Sequence, residues 1–163
     1  MRAVSIGLVL FALAFPLAAA AQVLTNPYGA PIAAEAARKA VAAGLAEGRK
    51  NGWFVAVAVV DGGGALVAFE RIDGTHAASS NVALEKARTA AGFRRPTKAF
   101  EDAIAGGRTA LLGLPGAVPI EGGVPIVLDG KIVGAIGVSG ATSQQDGVCA
   151  KAGVDAIAGG DKK

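Results

Sequence analysis

Apolar residues recur along this chain with helical spacing in some stretches and strand spacing in others. From Ile32 to Lys50, Ala33, Ala37, Val41 and Leu45 fall at four-residue steps and share one face of a helix. Pro31 suits its first turn, and Asn51-Gly52 stops it. The face is built from small residues, so the helix can approach its neighbour closely. Trp53 to Val60 is an uninterrupted apolar run of eight, rich in valine. Asp61-Gly62-Gly63-Gly64 then makes a tight turn, and Ala65 to Ile72 returns as the second strand of a hairpin. The first strand is apolar on both faces, so it belongs at the centre of a sheet.

Ser79-Ser80 can cap a helix reaching Ala91, on which Lys86, Thr89, Ala90 and Phe93 share a face. Pro96-Thr97 opens a shorter helix to Ala105, with Thr97 as N-cap, and Gly106 to Val118 is irregular. Val124 to Leu128, Asp129-Gly130 and Lys131 to Ser139 form a second hairpin. Pro125 assigns its strand to an edge or a bulge. Gly134 and Gly137 mark a close approach of backbone or ligand. Ser143 caps a last helix over Gln144 to Ala158, with Asp146 at the capping-box position. Hairpins impose antiparallel pairing, so the order helix, hairpin, helices, hairpin, helix predicts an α+β fold.

Residues 1–21 stand apart from this pattern. Met1-Arg2, an apolar run from Val4 to Ala14, and Ala19-Ala20-Ala21 read as a signal peptide cleaved before Gln22, leaving one domain over 22–163. The expected location is therefore periplasmic or secreted. The apolar run is too short for a permanent span, so no membrane span is expected after cleavage. Gln22 to Pro31, with Asn26-Pro27, is an extended arm.

Composition then narrows the chemistry. The chain holds 163 residues with one Cys, one His and one Met, and Met1 leaves with the signal peptide. One Cys excludes an internal disulfide and a Cys-built zinc or iron–sulfur site. One His excludes sites built on two imidazoles within a subunit, although a symmetric dimer would supply a second. Net charge +3, lowered by one when Arg2 is removed, is too weak a bias for nucleic acid. Gly62-Gly63-Gly64 is followed by a strand, so it reads as a turn and not as a dinucleotide loop. Gly137-Val138-Ser139-Gly140-Ala141 resembles a nucleophile elbow with one residue changed, but His76 precedes it, where that fold would place its His last. Cys149 lies among Val148, Ala150 and Ala152 and reads as a small buried hydrophobe. Lys86, Arg88, Arg94, Arg95, Lys98 and Arg108 crowd together, either as a solvated face or as an anion site.

Several segments in fixed order carry a family resemblance. They are Val57-Ala58-Val59-Val60-Asp61-Gly62-Gly63-Gly64, Arg71-Ile72-Asp73-Gly74, Glu85-Lys86-Ala87-Arg88-Thr89-Ala90-Ala91 and Arg95-Pro96-Thr97-Lys98. Downstream follow Glu121-Gly122-Gly123-Val124-Pro125-Ile126, Gly134-Ala135-Ile136-Gly137-Val138-Ser139-Gly140 and Gln145-Asp146. Over Trp53 to Gly153 the chain resembles the GlcG/HbpS-like family of small haem-binding and glycolate-operon proteins. The resemblance implies a profilin-like α/β sandwich with a sheet of roughly five antiparallel strands. It also implies a homo-oligomer, a dimer or an assembly as large as an octamer, and haem as cofactor, in a storage or redox-sensing role without catalysis.

Haem would lie with its propionates near the Arg/Lys cluster, Arg71 and Lys86 included. The iron would face His76, the one imidazole, or by analogy Thr89 or Thr97. The alternative is a binder or enzyme for a short 2-hydroxy or 2-keto acid. There Arg71 and Lys86 would clamp the carboxylate, Asp73 would act as acid or base, and Gly122-Gly123 would leave room for the ligand. A third reading is an oligomerising module without catalysis.

Overall fold

The structure is a computed structural model and describes residues 26–158. Residues 1–21, read from the sequence as a signal peptide, lie outside the described residues. Helix α1 (Ala34–Asn51) leads into strands β1 (Ala56–Asp61) and β2 (Leu66–Arg71). Helices α2 (Ser79–Phe93) and α3 (Lys98–Ala105) follow, then a short 3-10 helix over Thr109–Gly113. Strands β3 (Gly123–Leu128) and β4 (Lys131–Ser139) and helix α4 (Ser143–Ala158) complete the fold. No described helix is long and apolar enough to cross a membrane.

The sheet has four antiparallel strands in the order β2-β1-β4-β3. The expected five are not reached among the described residues. The arm supplies a lone bridge between Tyr28 and Ile132, held by Gly29 N–H on Ile132 C=O and Ile132 N–H on Pro27 C=O. Pro31 follows within a few residues, and the chain turns into α1 before a strand can grow. Both hairpins stand as the pattern predicted. The Asp61 carboxylate accepts from the Gly63 and Ala65 amides and shapes the first turn. In the second, Asp129 and Gly130 both take positive φ, 49° and 71°, as a tight Asp-Gly turn requires. Strand β1 is central, and Pro125 sits on the outer strand β3.

Alternation along β1 divides the interior. Val55, Val57 and Val59 join Leu45, Ile136, Cys149 and Ala150 in a core beneath α1 and α4. Ala56, Ala58 and Val60 face α2 across the sheet, against Ala83, Ala87 and Ala90. None of the buried apolar residues of this second layer is larger than valine, so α2 lies close on the strands. Gly137 shows how closely: a Cβ there would come within 2.0 Å of the Ala83 carbonyl oxygen. Gly134 likewise faces the Val60 carbonyl oxygen at 2.3 Å from such a Cβ. The close approach expected at both glycines is therefore one of backbone.

The caps differ in detail from the expectation. Ser79 begins α2 without capping it. Thr97 occupies the N-cap position of α3 but makes no capping bond, because its hydroxyl accepts from the Gly123 amide. At α4 the reciprocal pair is Thr142 with Gln145: each side chain accepts from the other's amide. Asp146 is drawn away by Lys86 and by the Ala141 amide.

Candidate functional site

The helix face that unites Lys86, Thr89 and Phe93 points inward, and its Lys86 is engaged by the protein itself. Lys86 retains 2% of its surface. Its ammonium donates to Asp146 Oδ2 at 2.8 Å and to the Val138 carbonyl at 3.1 Å. Burial pushes the Asp146 carboxyl above its ordinary range, opposed by Lys86 and by the Ala141 and Gly140 amides. Gly122, at φ 127°, makes room for this pair: a Cβ there would lie 2.8 Å from Lys86 Nζ. Gly123 is pressed against the Lys86 carbonyl and the Thr97 methyl. The glycine pair is thus filled by lysine and threonine and leaves no ligand-sized space. Arg71 ends the edge strand β2 and Asp73 lies in the following turn, both exposed and apart from the buried ammonium. The arrangement does not assemble a carboxylate clamp from Arg71, Asp73, Lys86, Gly122 and Gly123.

The two threonines are also internal. The Thr89 hydroxyl donates to the Glu85 carbonyl and accepts from the Val118 amide. With Thr97 on Gly123, the pair pins the loop between α3 and β3. Both are fully buried, so neither hydroxyl faces a cavity that an iron could enter. His76 is exposed, three residues before α2 begins. Among the described residues, no three of His, Cys, Asp and Glu converge to hold a metal ion.

The basic cluster resolves into used and unused charges. Arg88 pairs with Glu85 and Lys98 with Asp102. Arg94, in the left-handed region at φ 53°, ends α2 and lies over the Tyr28 ring. Arg95 and Arg108 meet no carboxylate among the described residues, and they line one groove of about 330 Å³. Its floor is Phe93, Phe100, Leu111 and Leu114. The two rings meet edge to face at 5.4 Å, and the Arg95 guanidinium sits over Phe100 at 5.7 Å. Such a groove offers a flat apolar surface with two guanidinium groups for carboxylates. The sequence carried this signal in the charge cluster, but not that Arg95 and Arg108, among the cations without a carboxylate partner in the described residues, would line one groove.

The groove joins an apolar lining to two guanidinium groups and presents no side-chain donor to an iron. His76 cannot reach it within one subunit. The groove lies past the C-terminal end of α2 and His76 precedes its start, and a helix of 15 residues is about 22 Å long.

Comparison with known proteins agrees with this architecture. The chain is similar to Protein GlcG of Escherichia coli strain K12, 48% identical over 99 residues, which are 61% of this chain and 74% of the relative. A solved double mutant of Streptomyces reticuli HbpS superposes with a TM-score of 0.73 at 35% identity, covering 88% of this chain and 97% of that one. A structure described as a PduOC:heme complex matches with a TM-score of 0.71 at 24% identity, over 78% of this chain and 95% of that one, and shares the fold. Residues 32–155 match the family model described as haem degrading protein HbpS-like, and the chain belongs to that family.

Proposed function

We propose that this protein binds haem in the groove between α3, the 3-10 helix and the end of α2. One observation carries the reading: a groove lined by Phe93, Leu111 and Leu114 over the buried Phe100, bordered by Arg95 and Arg108, both without a carboxylate partner among the described residues. The family description and the likeness to HbpS support it. Phe93, Leu111 and Leu114 would contact the ring, and the two guanidinium groups would hold the propionates as charge-assisted pairs. When bound, haem would supply redox chemistry at its iron. The protein's own residues bind and orient the ring. Those lining the groove include no general acid or base, which favours storage or redox sensing over turnover.

The same proposal places the protein outside the cytoplasm, as residues 1–21 suggest, and makes it a homo-oligomer. An imidazole on the iron would then come from another subunit's His76 position or not at all.

Titration of the purified protein with hemin tests the reading. A saturable Soret shift is expected, weakened at least about tenfold in Arg95→Ala/Arg108→Ala by the loss of charged hydrogen bonds. No shift at stoichiometric protein would sink the proposal. His76→Ala is expected to leave the shift in place within a monomeric preparation.

A further inference from the structure

A second cavity lies at the other end of α2. It measures about 230 Å³ and is walled by His76, Ser79, Val82, Ser139, Gly140 and Ala141. Two elements converge there, the first turn of α2 and the link from β4 to α4. Ser79, the first residue of α2, retains 4% of its surface, and Ser139, the last of β4, retains 8%. Neither hydroxyl bonds to another described residue. No fully enclosed side-chain polar atom in the described residues lacks a partner, so these two hydroxyls open onto the cavity. The segment Gly137 to Ala141, which resembles a nucleophile elbow, therefore does bring its serine and the chain's single His to one place.

The polar groups of this cavity point to one ligand chemistry. Its side chains are hydroxyls and an imidazole, and no carboxylate lines it. The N-terminus of α2 adds the positive end of a helix dipole. The wall is held from behind: the Val138 carbonyl accepts from Lys86, and the Ala141 amide donates to Asp146. The volume falls below the usual range for drug-sized ligands. We infer that this cavity binds a small oxyanion, a short carboxylate or an inorganic oxyanion, between the Ser79 and Ser139 hydroxyls with His76 at the mouth.

His76 is the one histidine of the chain, so its ring protons give an unambiguous nuclear magnetic resonance signal. The full chain is titrated with acetate, propionate, sulfate, phosphate and acetamide at millimolar excess. Saturable movement of the His76 signal is expected with at least one anion and not with neutral acetamide. Ser79→Ala and Ser139→Ala should each weaken that response by about tenfold, as loss of a hydrogen bond to a charged group predicts. Val82→Phe should abolish it by filling the cavity, which keeps the test decisive if Ser139→Ala fails to fold. A response to carboxylates alone identifies an organic acid, and one to sulfate or phosphate alone an inorganic ion; either supports the inference. No saturable shift, an equal response to acetamide, or full affinity in both serine variants overturns it. No hemin is present, so the result stands apart from the haem reading.

Discussion

Asp146 is the residue on which the centre of the molecule turns. It neutralises Lys86 where both side chains are nearly sealed from water, at 3% and 2% exposure. Removing one partner strands a buried charge, and such losses cost about 3–5 kcal/mol. Asp146→Asn is therefore expected to lower unfolding stability by that amount in urea titration. Cys149 gives a pH test. Burial first, then the charges of Asp146 and Glu47, push its thiol from 9.0 up to about 11. Below about pH 9 the thiol keeps its proton in both states. Above it, the unfolded thiol ionises first, so stability drains away as pH rises to about 11, by about 1.4 kcal/mol per unit. Cys149→Ala should remove that slope, read from denaturation midpoints across the window. Sequence spacing correctly put Lys86 on a face with Thr89 and Phe93. Its partner was hidden because the two are 60 positions apart. Asp146 itself reads as a helix cap at the sequence level, and only the third dimension gives it a cation.

At the scale of elements, the contact of α2 with the sheet makes a sharp prediction. Gly137→Ala sets a Cβ against the Ala83 carbonyl, which cannot rotate away as a side chain would. The cost should reach about 3 kcal/mol, the upper end for overpacking, as a lowered melting temperature. At α4, Thr142→Ala should cost about 1 kcal/mol by losing the cap, while Ser143→Ala should cost clearly less. This contrast bears on legibility. The hairpins and the central strand could be read because turn chemistry and apolar runs are local signals. Caps shifted or lost their bonds because several Ser and Thr side chains stand near the helix starts and long-range partners compete for them. Thr97 is the clearest case, since its hydroxyl is claimed by Gly123. The groove stayed illegible for a related reason: the pairs of Arg88 with Glu85 and Lys98 with Asp102 are local, but the meeting of Arg95 and Arg108 at one groove depends on how α3 and the 3-10 helix pack.

For the whole molecule, α1 and α4 cover one face of the sheet and α2 covers the other. The two cavities discussed above sit at opposite ends of α2, so one subunit can present two ligands without competition between them. Simultaneous titration with hemin and an anion should give independent saturation of the Soret and His76 signals. N-terminal sequencing of exported protein should begin at Gln22, and sedimentation velocity should report a species larger than one subunit. The layer between α2 and the sheet has a further thermodynamic consequence. Alanine and glycine surrender almost no rotamer freedom when they are buried, so this layer forms at little side-chain entropy cost. They also bury little apolar area, so its cohesion comes from dispersion between closely apposed main chains. Drift toward larger residues is closed here, because the surrounding atoms are carbonyls and amides with no alternative conformer to adopt. Variation in this fold should therefore gather at the groove and the surface, and the contact positions Ala56, Ala58 and Gly137 on the strands and Ala83, Ala87 and Ala90 on α2 should stay confined to the smallest side chains.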